Sequence, residues 1–399
     1  MQDNEKKPAL RFKGFTDPWE QRKLGEVFEE YSEKNHAELP PLTIIQGGGT
    51  IRRDESERAL QYDKSSLSNY KMVNKDDFIV HLRSFEGGLE KASSQGIISP
   101  AYHTFHGEDV DSRFYYAYFR SKNFINKDLK PHVYGIRDGR SIDIEGMKTI
   151  RIPWASYPEQ KSIGDFLTHL DTLVTLHQRK YEKLVNIKKS MLDKMFPKNG
   201  ASVPEIRFKG FTDPWEQRKL GEIAKEVVRN DPASDAPIMM ITAGNGFIEQ
   251  SDRYAFNNAG ESLKKYILLE RGELAYNHGA SKLRPYGSCF ALTTVEKARI
   301  PFVYHCFSVE KSNPEFLSIE LNGANVENQL RKIVSSGARM DGLLNIAYSE
   351  YTEVTVQLPK KEEQDWIAKF FKHLDTLITL HQREHIKPIL EVKRVKRNE

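Results

Sequence analysis

Apolar residues recur in steps of three and four along the segment that begins near residue 160. The recurring positions are Ile163, Leu167, Leu170, Val174, His177, Tyr181, Leu184, Met191 and Met195, with a polar interruption at Lys188. This spacing predicts an amphipathic helix whose apolar seam faces another helix. Proline is absent from 163–195, so about 33 residues can extend for roughly 50 Å. Pro197 and the KNGASVP segment after it predict the end of the helix and a linker.

The same phase returns near the other end of the chain. Its apolar positions are Ile367, Phe371, Leu374, Ile378 and His381. Two such helices predict an antiparallel pair; the alternative is that each helix packs on its own module. Pro388 stands where the first helix has Leu184, and an interior proline costs about 3 kcal/mol. We therefore expect the second helix to break near Lys387, with a loosely ordered basic tail behind it.

The chain also repeats itself. RFKGFTDPWEQRKLGE occurs at 11–26 and again at 207–222, and EQKSIGDFLTHLDTLVTLHQR at 159–179 corresponds to EQDWIAKFFKHLDTLITLHQR at 363–383. The separation between matched segments grows only from 196 to 204 residues. This predicts one module used twice. The ends of the two modules are nearly identical, which indicates that they have the same function. The middles diverge, which indicates two versions of one function. The alternative is that the copies diverged without acquiring new functions.

These patterns predict an α+β protein: two pseudo-repeated mixed α/β modules held apart by a pair of long antiparallel coiled-coil-like helices. The expected boundaries are 1–158 for the first module, 159–197 for its helix, 198–206 for a linker, 207–361 for the second module, and 362–399 for the second helix, interrupted near Pro388, with the basic tail. IIQGGGTI at 44–51 and ITAGNGFI at 241–248 predict tight turns between strands. The opening segment indicates a turn that enters each module, and TDPW at 16–19 can start a helix, because Thr or Asp can cap it and Pro suits its first turn.

Composition adds limits on the class of protein. Of the 399 residues 38% are apolar and 29% charged, which is typical of a soluble globular protein, and we expect neither a signal peptide nor a membrane span. Cys289 and Cys306 are too few for a disulfide framework, which favours a reducing cytoplasm. Net charge is only +4, but basic residues crowd 179–198 and VKRVKRNE closes the chain. Such patches suit an anionic partner such as nucleic acid; a solvated helix face and tail is the alternative.

Catalytic motifs are not evident. The sequence lacks G-x-x-x-x-G-K-[ST], and QGGGTIRR lacks the dinucleotide-binding spacing. NPEF at 313–316 is a weak match to the N-P-P-[YF] loop of amino-methyltransferases. His103, His305 and Cys306 fit strand positions better than ligand or nucleophile positions. We predict a binding scaffold with no catalytic residue and no metal.

The repeated ends carry a family resemblance. Two variable modules, each opened by W…LGE and closed by EQ…LDTL…LHQR, resemble the DNA-specificity subunit of a type I restriction-modification enzyme. The segments 78–102, 134–144 and 273–288 resemble parts of its target-recognition domains. The resemblance implies a non-catalytic, cytoplasmic subunit whose two domains each read one half of a split, asymmetric sequence in double-stranded DNA. It further implies two methyltransferase subunits around the helices and, where present, restriction subunits, with S-adenosylmethionine, ATP and Mg on those partners.

The reading residues expected from this resemblance are fork donors, amides and nearby glycines. They are Arg83, Ser84, Gly87, Gly88, Arg137 and Arg140 in the first module, and Asn277, His278, Ser281, Lys282, Arg284 and Arg339 in the second. Arginine at both 137 and 339 indicates a shared backbone role, whereas Arg83 corresponds to Gly279. The alternative is that these arginines form surface ion pairs with neighbours such as Asp138 or Asp341.

The helices supply a second set of expected contacts, both between themselves and with partner subunits. The residues are Leu167, Leu170, Val174, His177, Tyr181, Leu184, Phe371, Leu374, Ile378 and His381. Two other classes of protein stay open: a single-chain methyltransferase or endonuclease with its own catalytic site, and a protein-interaction scaffold that does not bind DNA.

Overall fold

The computed structural model describes residues 8, 10–56, 64–135, 141–198, 200–253, 260–334 and 344–395, the last twelve of them as helix backbone. The chain forms two compact units, residues 1–175 and 176–399. The predicted boundaries inside these units remain predictions.

The first unit is a mixed α/β domain of short strands. Its strands are β1 Glu20–Lys23, β2 Glu29–Tyr31, β3 Leu42–Ile45, β4 Gly49–Arg52, β5 Lys71–Val73, β6 Phe78–Val80, β7 Glu90–Lys91, β8 Gly96–Ile98, β9 His103–His106, β10 Val133–Tyr134, β11 Ser141–Ile142 and β12 Arg151–Trp154. Its helices are α1 Leu24–Val27, α2 Ser84–Gly87, α3 Ser112–Phe119, a π-helix Phe124–Leu129, α4 Ile144–Lys148 and the start of α5 Tyr157–Lys194.

A four-stranded antiparallel sheet, in the order β2-β9-β6-β7, is the centre of this unit. All three residues of β6 are buried, because the sheet is covered on both faces. Phe78 and Val80 join an aromatic core with α3, while Ile79 joins a smaller core beneath β3 and β8. This alternation follows the two-residue period of a strand.

The second unit has a sheet of the same order. Its strands are β13 Glu216–Lys219, β14 Ala224–Glu226, β15 Met239–Thr242, β16 Gly246–Glu249, β17 Ile267–Glu270, β18 Leu274–Asn277, β19 Ser288–Ala291, β20 Lys297–Ile300, β21 His305–Val309 and β22 Thr355–Leu358. Its helices are α6 Pro314–Leu321, α7 Ala324–Ile333, α8 Tyr348–Tyr351 and α9 Lys361–Val395, besides the end of α5. The central sheet runs β14-β21-β18-β19. Leu274 and Tyr276 of β18 face one core, and Ala275 faces the other.

The repeated ends of each module meet inside that module. In the first unit Arg11 donates through Nε and Nη2 to both carboxylate oxygens of Glu159, at 2.6 and 2.7 Å. In the second, Arg207 binds Glu363 in the same fork, with both distances 2.7 Å. Both glutamates are 1% exposed. The opening segment is therefore fixed to the helix that closes the module, and we call each of these pairs an end clamp.

The glutamine beside each clamp joins the same helix to its domain. Gln160 accepts the backbone N–H of Asp111 at 3.0 Å, and Gln364 accepts that of Asn313 at 2.8 Å. The acceptor side chains are buried, so these bonds are shielded from water. The near-identity of the ends thus has a structural reason: both copies build one set of interlocking contacts.

Two local predictions have different outcomes. The prediction that TDPW starts a helix is wrong: the next residues form β1, which pairs with β12 as β13 pairs with β22. Backbone pairing with the chain that leads into the closing helix outweighs the local capping preference. The prediction of tight turns is confirmed, since β3–β4 and β15–β16 are antiparallel hairpins.

The candidate catalytic residues of the sequence lie in ordinary structure. His103 begins β9, and His305 and Cys306 belong to β21, as predicted. Asn313 is the N-cap of α6, with its side-chain oxygen accepting the N–H of Phe316 at 3.0 Å. NPEF is therefore a helix start rather than a methyltransferase loop.

The long helices α5 and α9 contain 38 and 35 residues. The backbone of α9 stays helical through Pro388, which differs from the interruption expected near Lys387. A proline inside a helix removes one backbone hydrogen bond and can be accommodated by local bending without ending the helix. The last four residues of the basic tail lie outside the described part of the chain.

Candidate nucleic-acid interface

The loop after β6 folds as a helical turn. Arg83, just before α2, is exposed. Ser84 is 0% exposed, and its hydroxyl accepts the backbone N–H of His81 at 2.9 Å. Arg83 therefore stays a candidate contact. The turn directs the side chain of Ser84 into the core, where it supports the loop; its assignment as a DNA contact stays a prediction.

Gly87 and Gly88 pack against neighbouring parts of the same unit. Gly88 has φ +83°, and a Cβ there would collide with the carbonyl oxygen of Phe119. A Cβ at Gly87 would collide with Nε2 of Gln46, at the tip of the β3–β4 hairpin. Both glycines are needed for packing within the module. The expectation that they permit close approach of DNA stays a prediction.

A buried carboxylate holds that hairpin tip. Glu90 is 0% exposed and accepts the N–H of Gly47 at 2.6 Å and of Gly49 at 3.1 Å. The N–H of Gly48 donates to the carbonyl oxygen of Ile45 at 2.9 Å. Because all three glycine N–H groups are satisfied inside the module, the tip offers side chains rather than a backbone nest for phosphate.

Two further side chains complete the support of the tip. The hydroxyl of Tyr116 donates to Glu90 at 2.7 Å, and Nη1 of Arg120 donates to the carbonyl oxygen of Gly47 at 3.2 Å. Burial, and then the contact with Glu90, raise the pKa of Tyr116 to about 12, so its phenol stays a neutral donor. Hydrogen bonds from the rest of the module therefore fix both N–H and C=O groups of the exposed hairpin tip.

In the second unit, most of the predicted contacts bond inside the protein. Nδ2 of Asn277 donates to the carbonyl oxygen of Ile241 at 3.2 Å, and its Oδ1 accepts the N–H of Gly279 at 2.9 Å. His278 is 8% exposed, and its Nδ1–H donates to the carbonyl oxygen of Leu344 at 2.8 Å. Asn277 and His278 therefore fix the start of this loop, and their assignment as DNA contacts stays a prediction.

Arg284 also serves the fold. Its Nη1 donates to the carbonyl oxygen of Asn322 at 2.6 Å, and burial lowers the pKa of its guanidinium from the ordinary value. Ser281 closes the loop by accepting the N–H of Arg284 at 3.0 Å. The assignment of Arg284 as a DNA contact stays a prediction. Lys282 is exposed and stays the candidate cation of this loop.

The remaining predicted contacts, Arg137, Arg140 and Arg339, lie outside the residues that the structure describes. Their assignment stays a prediction.

The predicted seam of α5 coincides with half-buried positions. Leu167, Leu170, Val174, His177, Tyr181 and Leu184 are all half-buried. On α9, Phe371, Leu374 and His381 are buried and Ile378 is half-buried. The predicted seam positions are therefore buried or half-buried in both helices, while their role in helix pairing and subunit contacts stays a prediction.

Contacts within the second unit give the direction of packing. His177 lies with its Nδ1 3.0 Å from Nδ1 of His381, and Lys188 pairs with Asp375. Farther along, Phe196 lies 6.2 Å from Phe371 between ring centres. Increasing numbers on the first segment meet decreasing numbers on α9, so the two run antiparallel over this stretch.

Leu184 and Met191 pack against the second unit's core, which includes Phe371 and Leu374. The end of α5 is therefore part of the second module's core as well as a partner of α9.

Within the described residues, no group of three or more His, Cys, Asp or Glu side chains is placed to hold a metal ion. Both cysteines are free and buried, and burial raises the pKa of the Cys289 thiol to about 12. A neutral buried thiol of this kind is a core residue rather than a nucleophile. Among the helices in this part of the chain, none has the length and apolar character to cross a membrane.

The sequence reasoning missed the hairpin tips. Gln46 in the first unit and Asn245 in the second are exposed amides at the turns of β3–β4 and β15–β16. The sequence contains the information needed to find them, because both turns are predicted from it and an amide side chain can bind a base edge. This information was overlooked because the glycines of these turns suggested only backbone geometry.

Comparison with known proteins finds a family that is similar to the N-terminal part of the chain. Residues 16–186 match the family described as "Type I restriction modification DNA specificity domain". The whole chain is similar to two solved structures. One is the S subunit of a type I restriction-modification system from M. genitalium, at 13% identity and TM-score 0.53, with 96% of each chain covered. The other is the HsdS subunit from Thermoanaerobacter tengcongensis, at 15% identity and TM-score 0.44, with 94% of each chain covered.

Residues 16–186 are therefore similar to the DNA specificity domains of type I restriction-modification systems. The chain shares its fold with the M. genitalium subunit over nearly its full length.

Proposed function

We propose that this chain reads a two-part, asymmetric DNA sequence, one part with each module, and has no catalytic chemistry of its own. One observation carries the proposal. The two modules share a strand order and an end clamp but differ in the side chains that they expose beside the central sheet. Arg83 and Gln46 lie there in the first module, and Lys282 and Asn245 in the second. A duplicated frame with different exposed donors suits two different half-sites.

Footprinting tests this proposal. The complete complex, bound to its DNA, should protect two short segments separated by unprotected base pairs. A single continuous footprint, or equal protection of random DNA, would contradict two-part reading.

The paired helices set the number of unread base pairs in this proposal. The 38 residues of α5 correspond to about 57 Å of helix. A full turn of B-DNA is about 34 Å, so such a helix is long enough to span successive major grooves.

A second apolar stripe on the helices offers a surface for methyltransferase subunits. On α5, Phe166, Leu173 and Leu176 are 49%, 39% and 55% exposed. On α9, Trp366 and Leu380 are 59% and 47% exposed. These positions differ from the inner seam, so partner docking and helix pairing use different residues. Two similar stripes suit two copies of one partner.

Substitution separates the stripe from the seam. Leu173→Glu and Leu176→Glu should weaken co-elution with methyltransferase subunits while changing the free energy of unfolding by less than about 0.5 kcal/mol, because both side chains are exposed. Thr175→Glu, an exposed residue off the stripe, is the control and should co-elute normally. If Leu173→Glu assembles as well as the control, the stripe is not the docking surface.

A further inference from the structure

The tip of the β3–β4 hairpin and the loop after β6 form one surface in the first module. Nε2 of Gln46 lies over Gly87, which comes one helical turn after Arg83. Nε2 is so close that no Cβ fits at position 87. An exposed amide and an exposed guanidinium are therefore presented on the same side of the module.

In the second module the hairpin tip also contacts the loop that follows the central strand, but the small residue is on the tip and the large residue is on the loop. The tip residue Gly244 lies against Leu283, with 3.6 Å from an ideal Cβ at Gly244 to Cδ2 of Leu283. Leu283 stands the same number of residues after Tyr276 of β18 as Gly87 stands after Val80 of β6. In the first module the large side chain comes from the tip and the small one from the loop, and in the second module the reverse holds. The contact of tip with loop is thus common to both, while its chemistry differs.

An amide is exposed at each tip. Gln46 and Asn245 are both exposed, and neither side chain hydrogen-bonds to another described residue. Their backbones, by contrast, are fixed: Glu90 holds the turn beside Gln46, and the N–H of Asn245 donates to Thr242 Oγ1 at 3.3 Å. A free side chain on a fixed backbone is suited to reading a base edge.

We propose that Gln46 and Asn245 are sequence-determining residues, each reading an adenine in the half-site of its own module. This rests on the proposed function. An amide can donate to N7 and accept from the exocyclic N6 of adenine, a pairing that no other base offers in the major groove. The glycine N–H groups of the first tip are already satisfied, so Gln46 contributes through its side chain and not through a backbone contact with phosphate.

Glu90 is the positioning residue for Gln46. Its two oxygens fix the N–H groups on either side of Gly48, directly after the reading amide. In the second module Phe290 takes this place, with its ring 3.2 Å from an ideal Cβ at Gly246. The two tips are therefore supported by different chemistry, and a change at Glu90 acts on one half-site alone.

The test maps modified bases in the DNA of cells that produce this chain with its methyltransferase subunits. For the unchanged chain the proposed function requires a two-part motif. Gln46→Ala should then reduce the preference for adenine at one position of one half-site by roughly 5- to 150-fold, the range for loss of one bidentate contact. Asn245→Ala should do the same in the other half-site only. Gln95→Ala, which removes an exposed amide away from the tip, should leave the motif unchanged.

Each outcome separates the two claims. If the unchanged chain gives no two-part motif, the proposed function is wrong. If it gives one and Gln46→Ala keeps every position of that motif, the inference is wrong and the function stands. A uniform drop in methylation at all positions would equally overturn the inference, because it would make Gln46 a general contact. For Glu90, Glu90→Gln should relax the same position as Gln46→Ala and leave the second half-site unchanged; relaxation of both halves would make Glu90 merely structural.

Discussion

Arg83 and Ser84 are neighbours in one loop, yet the side chain of Arg83 is exposed and that of Ser84 is buried. Both were predicted as DNA contacts because fork donors and small polar side chains suit base edges. The helical turn α2 leaves Arg83 exposed and buries Ser84 against His81. Which side chains of a short helical turn face solvent depends on the residue at which the turn begins. Residue type alone does not determine where the turn begins.

Glu320 shows a residue-scale effect that the sequence did not indicate. It is 4% exposed near the end of α6, and burial raises the pKa of its carboxyl to about 7. The backbone N–H of Gln357 donates to it at 3.0 Å. An unfolded glutamate has a pKa of about 4.3. The folded state therefore holds this proton more tightly, which stabilises the protein below about pH 4.3, and that stability is lost as the pH rises to about 7.

We expect Glu320→Gln to remove this pH dependence. Between pH 5 and pH 8 the unchanged protein should lose on the order of 2–3 kcal/mol of unfolding free energy at this site, whereas the variant keeps the acceptor for Gln357 without a charge. Urea unfolding at both pH values measures the difference. Glu222→Gln, at an exposed position, should behave like the unchanged protein. Identical slopes for all three proteins would show that Glu320 is ionised when folded.

At the scale of elements, the sequence predicts helices and turns that depend on local spacing. It does not predict strands that form by pairing with distant residues. The seam of α5 and the two glycine turns follow from local spacing, and the structure has both. TDPW was assigned to a helix because nothing local shows that the next four residues pair with β12, over a hundred residues away. The bonds of Asn277 and Arg284 inside the protein are likewise not visible locally, since their partners Ile241 and Asn322 are distant in sequence.

The end clamp gives a prediction at this scale. Arg207→Ala would leave the carboxylate of Glu363 buried without its partner, which should cost about 3–5 kcal/mol of unfolding free energy in the second unit. Lys209→Ala, an exposed change close by, should cost less than about 0.5 kcal/mol. Urea unfolding followed by tryptophan fluorescence compares them. Equal midpoints would mean that the clamp does not stabilise the module.

The helix pair gives another prediction. Leu184 and Met191 belong to the core of the second unit, so any change in length should be placed next to the His177–His381 contact. Seven residues inserted after His177 and seven before His381 would keep the seam in phase and add about 10 Å. We expect the unread spacer to grow by about three base pairs with both half-sites kept.

Insertion in α5 alone is the matched control. It should abolish specific methylation, because the two seams then slip against each other. If the paired insertions change the half-sites while keeping the spacer, the helices do not set the spacing.

At the scale of the whole molecule, the repeated ends can be recognised in the sequence. The side chains proposed to determine DNA specificity cannot. The repeated ends are recognisable because both copies need the same buried ion pair and the same glutamine contact. The proposed reading surfaces combine residues far apart in sequence, such as Gln46 and Arg83, around supports that differ between the modules. A side chain's position on such a surface depends on the folded domain, so spacing along the chain could not identify it.

Modified-base mapping of genomic DNA tests the central claim most directly. Cells with the methyltransferase subunits should show a two-part, asymmetric methylated motif only when this chain is present, and Arg83→Ala should alter one part of it while leaving the other part and the spacer unchanged. Methylation that is the same with and without the chain, or a motif altered in both parts by Arg83→Ala, would contradict the account.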